Sequence, residues 1–244
     1  MANSDRNWQR WGEKDPYYAV LTNPCFRTDR IDKNRKLFFS DGQSFIRHWI
    51  DKIEFHSGAL KRDRVLDFGC GVGRLTIPLT DYFSSAVGVD ISPAMLDEAR
   101  RNSIGRSIDY VISDDSLSMV ENDFDFVISC MVLQHIPVTR GMALLDHLLR
   151  RVRPQGHCLI HLPVKRNSNW RRETRYFICH SVPGGQTLMN FLAGRPANAP
   201  VMQMNDYSLD AVMYCFYANS FGEMLVHYES QADVDTVIIS ARRR

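Results

Sequence analysis

Short apolar runs that alternate with helical patterns predict an α/β fold built on a doubly wound parallel sheet. Three observations carry that expectation. Residues 65–75, Val-Leu-Asp-Phe-Gly-Cys-Gly-Val-Gly-Arg-Leu, read as a buried strand, a glycine turn and a helix start. Further short apolar runs downstream repeat the strand-then-helix pattern. Asp67, Asp90, Asp114, His135 and His161 all fall at the carboxyl ends of the predicted strands, where ligands of such sheets bind.

Residues 1–39 are aromatic and polar without a clear period, with Trp8, Trp11, Tyr17 and Tyr18 crowded around Gly12 and Asp15-Pro16. They are expected to form an N-terminal arm, anchored to the core or acting as a lid over the site. Within them, Asn23-Pro24-Cys25-Phe26 follows the apolar run Tyr18-Ala-Val-Leu. A helix is expected from Ser40, where Ser40 and Gln43 have capping-box spacing. Phe45, Ile46, Trp49, Ile50 and Ile53 share one apolar face, and Gly58 is the stop. Leu75–Tyr82 reads as helix, with Pro78 close to the first turn. Ala86–Asp90 is a second buried strand. Ser92-Pro93 then supplies an N-cap and a proline at the first helical position, for a helix to about Arg101. Asp109–Ser113 reads as a third strand, followed by Asp114-Asp115-Ser116. Phe124–Cys130 is a fourth strand and His157–Leu162 a fifth. Between those two, Thr139 can cap a helix carrying Leu144, Leu145, Leu148 and Leu149.

From about 164 to 207 the period lapses. A long segment after the fifth strand sits over the mouth of the site, so it is expected to cap the substrate. Its basic residues (Lys165, Arg166, Arg171, Arg172, Arg175) read as a solvated surface or as a guide for an anionic substrate. Ser208 caps a last helix, and Glu223–Tyr228 with Thr236–Ala241 form a closing hairpin. The division expected is an arm or lid over 1–39 and one domain over 40–244, with the cap inserted at about 164–207.

Glycines at 69, 71 and 73 remove every Cβ that would keep a ligand from the backbone, and they permit positive φ. The turn is expected to leave backbone N–H groups open to an electronegative ligand group. The dinucleotide fingerprint fails because Arg74 stands where its last glycine would be. Asp67 would repel a pyrophosphate but can accept hydrogen bonds from an ammonium, so a ligand with an amino-acid end fits better than NAD. An acid at Asp90, one strand along, can hold both hydroxyls of a ribose.

At these residues the chain resembles the class I S-adenosylmethionine (SAM)-dependent methyltransferases, over about 40–163 and 208–242. The resemblance implies a Rossmann-like seven-stranded sheet, mostly parallel with an antiparallel last strand, and S-adenosyl-L-methionine as cofactor. It implies that Asp67, Gly69, Cys70 and Gly71 surround the amino-acid end of the cofactor, and that Cys130 also lies against it. Ile91 and Met95 would pack on the adenine, and Asp114, or its neighbour Asp115, would receive the adenine amino group.

The totals bound the remaining classes. A chain of 244 residues accommodates one sizeable α/β domain. A net charge of +2 argues against nucleic acid as partner. Six scattered cysteines form no Cys-x-x-Cys pair and read as free thiols of a reducing compartment. No apolar run approaches the ~20 residues of a membrane span, and a signal-peptide core is absent, so a cytoplasmic location and no membrane partner are expected.

Methyl transfer to a hydroxyl is an in-line displacement that benefits from a base. His135, just past the fourth strand, is the expected base, with His161 in reserve. The segment after the fourth strand lacks the carboxylate that catechol-type relatives use for a divalent metal, so no metal is expected. It also lacks the Asn/Asp-Pro-Pro-Tyr/Phe motif of base-amine methyltransferases, which Asn23-Pro24-Cys25-Phe26 matches only without its second proline. The expected acceptor is a small molecule methylated on oxygen, a sugar or a natural-product scaffold. Methylation of RNA or protein, and a binding module without turnover, are the competing readings. The sequence does not specify the oligomeric state.

Overall fold

The computed structural model describes residues 3–120, 123–166, 174, 177–179, 182, 184–194, 196–197, 199–231 and 234–244. Its strands are β1 (Arg64–Phe68), β2 (Ser85–Asp90), β3 (Ile108–Ile112), β4 (Phe124–Cys130), β5 (Val152–Arg166), β6 (Phe221–Gln231) and β7 (Val234–Arg243). They form one sheet of order β3-β2-β1-β4-β5-β7-β6. Pairing is parallel from β3 through β5, and β7 runs antiparallel to both β5 and β6. This is the seven-stranded α/β sheet that the sequence predicts. The strand order reverses between β1 and β4, which opens a crevice above their carboxyl ends.

Successive residues of the central strands point to opposite faces, and both faces are apolar because helices cover both. Val65, Phe126, Ile128, Leu159 and Ile238 pack with Ile46, Trp49, Ile50 and Ile53 of α3 (Ile31–Ser57). Leu66, Val127 and Ile160 pack with Leu144, Leu145, Leu148 and Leu149 of α6 (Val138–Arg151) and with Phe216 of α8 (Leu209–Ala218). A third cluster ties the arm to the domain through Tyr17, Phe26, Phe38, Val72 and Met95.

Several boundaries differ from the sequence reading, each for a physical reason. Helix α3 begins at Ile31 rather than Ser40. Ile31 and Phe38 bury against Tyr17 and Phe26, so tertiary burial extends the helix upstream. The Ser40 hydroxyl donates to the Leu37 carbonyl inside it (3.0 Å) and caps nothing. The arm itself is helical, in α1 (Asn3–Lys14) and α2 (Pro16–Val20). Asn23-Pro24-Cys25-Phe26 is a 3-10 turn in which the Asn23 side chain accepts from the Cys25 N–H at 3.1 Å. After the glycine turn, α4 covers only Thr76–Leu79. Thr80, Asp81 and Tyr82 continue with i→i−3 bonds to Ile77, Pro78 and Leu79. Helix α6 starts at Val138 behind Pro137, so Thr139 lies inside it. The expected caps at Ser92, for α5 (Pro93–Asn102), and Ser208, for α8, are present: each hydroxyl accepts a backbone N–H at 3.4 Å.

In the 164–207 segment, α7 (Gly185–Leu192) carries Gln186, which donates to Asn7 of the arm at 3.1 Å. Trp170, Arg171, Arg172, Arg175 and Tyr176 lie outside the described residues. The six cysteines are free thiols. Among the described residues, no helix is long and apolar enough to cross a membrane.

Candidate functional site

A cavity of about 370 Å³ opens at the carboxyl ends of β1, β2 and β4 and reaches β5, β7 and helix α1. Asp67, Gly69, Cys70, Gly71, Asp90, Ile91, Met95, Cys130, His135 and His161 all line it. Asp114 and Asp115 do not line it, and Ser113 takes that part of the wall. The Asp114 carboxylate closes a turn by accepting from the backbone N–H and the hydroxyl of both Ser116 and Ser118, and these bonds hold its pKa down at about 2. Asp115 pairs with Arg140. Consecutive acids after a strand therefore serve local turn and ion-pair geometry here, and neither is among the residues that line the cavity.

The glycine turn departs from expectation in a second way. Gly69 and Cys70 donate their N–H groups to Val89 O (2.7 and 3.0 Å). Gly71 donates to the Asp90 carboxylate (3.0 Å) and Gly73 to Cys70 O (2.9 Å). Three of these donors go to the end of β2 and one to the turn itself, so none of the four is open to a phosphate. Gly69 and Gly71 adopt φ of 76° and 54°. A Cβ at Gly69 would come within 2.2 Å of Val132, and one at Gly71 within 2.7 Å of Val20. The bare backbone is thus used for close packing as well as for ligand approach.

Two carboxylates define the chemistry of the floor. Asp67 is buried and accepts from the Thr76 hydroxyl at 2.6 Å. Burial raises its carboxyl to about 6, opposed by that hydrogen bond and by the Arg74 guanidinium. Asp90 accepts from Ser92 N (2.9 Å) as well as Gly71 N, and desolvation lifts it also to about 6. Two desolvated carboxylates side by side suit a ligand that brings donors or positive charge.

Arg74 is the residue that sequence reasoning missed. Its buried side chain lines the cavity, pairs through Nη1 with Asp41 at 2.8 Å, and leaves Nε with no partner. The signal was on the page: Arg74 is the residue that breaks the dinucleotide fingerprint. Asp67, Asp90 and an orphaned arginine N–H fit a zwitterionic amino acid joined to a ribose, and the closed turn does not fit a pyrophosphate.

His135 ends a 3-10 turn (Leu133–His135) after β4 and is buried beneath Trp8, with ring centroids 4.6 Å apart. Its Nδ1 lies 2.6 Å from Gln203 O, an atom that can only accept, so Nδ1 carries the proton. Nε2 is left as the basic nitrogen and accepts from the Gln134 side-chain amide at 3.0 Å, a bond that an incoming hydroxyl must displace. Burial lowers the imidazole to about 4 and keeps it neutral at pH 7. Tyr207 secures the turn by donating to Leu133 O (2.8 Å) and Ile136 O (3.1 Å). His161 sits on β5 with Nδ1 at 3.5 Å from Cys130 Sγ, and its buried Nε2 has no partner. Among the described residues, no group of three or more His, Cys, Asp or Glu side chains gathers as a metal site.

Comparison with known proteins agrees with this geometry. A family model described as a methyltransferase domain matches residues 65–156, from β1 into β5. The chain is 35% identical over 163 residues to a ubiquinone biosynthesis O-methyltransferase of Methylocella silvestris, covering 64% of this chain and 59% of that protein. It is 35% identical over 89 residues to a magnesium-protoporphyrin O-methyltransferase of Synechocystis, covering 34% of this chain and 38% of that protein. The chain spans about a fifth to three fifths of the length of the curated relatives it matches. In fold it is similar to a crystal structure of magnesium protoporphyrin IX methyltransferase from Synechocystis with bound SAM. The TM-score is 0.63 at 17% identity, with 100% of this chain and 98% of that chain covered. It is also similar to an N-methyltransferase from Bradyrhizobium japonicum in complex with S-adenosyl-L-homocysteine, with TM-score 0.58, 16% identity, and 99% and 98% covered. The strand order, the acid-lined glycine turn and these matches together show a methyltransferase domain over residues 65–156, in a chain whose fold is similar to that of SAM-dependent methyltransferases.

Proposed function

We propose that this protein transfers the methyl group of SAM to a hydroxyl oxygen of a small molecule, a sugar or a natural-product scaffold, without a metal. SAM supplies a methyl carbon made electrophilic by a sulfonium. The chain's own contribution is binding, orientation and a base that accepts the hydroxyl proton. Asp67 and the Arg74 Nε–H are complementary to an ammonium and a carboxylate, and Asp90 to a pair of ribose hydroxyls. Ile91 and Met95 offer an apolar wall to the adenine. Residues 1–39 act as a lid, since α1 sets Ser4, Asp5 and Trp8 into the cavity wall, and a lid excludes water from a proton transfer.

The observation that carries the reading is the state of His135: buried, neutral, its tautomer fixed by Gln203 O, and facing the cavity. Such a ring can take the proton of a hydroxyl as the oxygen is methylated. The test is His135→Gln, assayed for methyl transfer to acceptors found in a screen of hydroxylated compounds and, in parallel, for S-adenosylhomocysteine affinity by calorimetry. Turnover should fall by roughly 10²–10⁴ with affinity kept. Equal losses in both would make His135 a binding residue, and unchanged turnover would remove it from the reaction. Because burial holds the ring near 4, the base is already free above about pH 5. With SAM saturating, the rate should therefore be flat from pH 6 to 8 and fall as the ring protonates at lower pH, whereas kcat/KM for SAM should already drop near pH 6, where Asp67 and Asp90 protonate.

A further inference from the structure

The cavity extends beyond the residues assigned to the cofactor and the base, onto β5 and β7. Strand register places what lies there. Asp67 pairs with Ile128, Cys130 with His161, and Pro163 with Thr236. Cys130 follows Ile128 by one pleat repeat, and Pro163 follows His161 by one, so Asp67, Cys130, His161 and Thr236 share one face of the sheet. All four line the cavity. Diagonal neighbours of this kind lie about 7–8 Å apart, within reach of one bound molecule.

Two of these side chains have polar atoms with nothing to bond. His161 is 7% exposed and Thr236 4% exposed, and neither His161 Nε2 nor Thr236 Oγ1 has a hydrogen-bond partner. Leaving a buried polar group unmade costs on the order of 1–3 kcal/mol, so two on one cavity wall point to a ligand group that completes them. Neither strand contributes a residue assigned to the cofactor. The charges narrow the chemistry. The two cations on the wall already have carboxylate partners, Arg74 with Asp41 and Arg140 with Asp5 and Asp115. An imidazole and a hydroxyl can each donate or accept, which suits an uncharged oxygen. Trp8, Met131, Val132 and Met202 supply apolar wall between the two ends of the cavity.

We propose that His161 and Thr236 form an orientation subsite for the acceptor, binding a second, uncharged oxygen on the same apolar ring whose other hydroxyl faces His135. This rests on the methyltransferase reading above and adds the substrate class: a ring bearing at least two oxygen functions. The subsite sets which of the two oxygens is presented to the base.

The experiment uses the full chain saturated with S-adenosylhomocysteine, whose binding is verified first by calorimetry. Catechol, resorcinol and hydroquinone are then each compared with phenol by ligand-observed NMR. At least one of the three should bind about fivefold more tightly than phenol, the size of one neutral hydrogen bond. Thr236→Val keeps the shape of the side chain and His161→Phe keeps its bulk. Each should bring the ratio towards one while phenol affinity and S-adenosylhomocysteine affinity hold, and Thr236→Ser should restore the ratio. A ratio of one in the wild type, no binding of any probe, or a preference that survives both variants overturns the subsite. Failure of S-adenosylhomocysteine to bind at the outset overturns the methyltransferase reading instead.

Discussion

Asp67 and His135 are both buried titratable groups, and they push stability in opposite directions with pH. Asp67 has a folded pKa of about 6 against 3.8 in the open chain, so between those values the native state holds the extra proton. Its contribution is present at low pH and is lost as pH rises through about 6, a change on the order of 3 kcal/mol at about 1.4 kcal/mol per tenfold. Chemical denaturation of the ligand-free protein should therefore find Asp67→Asn gaining on the wild type between pH 4 and 6 and levelling off above. If Asp67 binds the cofactor's ammonium as proposed, the same substitution removes a charge-assisted hydrogen bond, and S-adenosylhomocysteine affinity should drop roughly 10–150-fold by calorimetry. For His135 the sign reverses. Its folded pKa of about 4 lies below 6.5, so its contribution is present above 6.5 and is lost as pH falls towards 4. Trp8 supplies part of that burial, and Trp8→Ala should move the ring's NMR titration midpoint upward, towards the ordinary histidine value.

At the scale of elements, the 3-10 turn Leu133–His135 is closed by His135 N to Val132 O and Ile136 N to Leu133 O, both 2.9 Å, and takes further support from the segment before α8. Tyr207 is 1% exposed, and its hydroxyl bridges two carbonyls of the turn. Asn205 N–H adds a bond to Gln134 O at 2.7 Å. Tyr207→Phe strips one donor from two buried carbonyls and should cost about 1–3 kcal/mol in denaturant. If the turn positions the base, methyl transfer in that variant falls further than S-adenosylhomocysteine affinity does. Gly141 belongs to the same contact, because a Cβ there would lie 1.8 Å from the Tyr207 hydroxyl. None of this was legible from the residues near His135. The sequence placed a histidine after β4, but its partners lie at 203–207, where no period marked them. Asp114 shows the converse: its distance from β4 matched a family pattern, yet two nearby serines captured the carboxylate first.

Across the whole molecule, the arm is joined to the domain at several separate points. Asp5 pairs with Arg140 at 2.6 Å, Asn7 accepts from Gln186, and Gly12 packs so closely on α5 that a Cβ would meet Ser92 Oγ at 2.2 Å. Tyr17 donates to Glu98 at 2.6 Å and stacks under Arg35 of α3. Removing residues 1–14 takes away Trp8 and the Asp5 ion pair together. Hydrogen exchange should then rise at residues 132–136 more than at β4 itself, and equal protection in both forms would refute the lid. Local patterns were enough to fix the sheet, the glycine turn and the acids at the strand ends, because period-two burial and glycine chemistry are properties of neighbouring residues. The closed hydrogen bonding of the turn, the unpartnered Arg74 Nε, His161 Nε2 and Thr236 Oγ1, and the burial that keeps His135 neutral depend on residues far apart in the chain. Only the folded packing of arm, sheet and closing hairpin brings those groups out of water together, and desolvation is what gives them their chemistry.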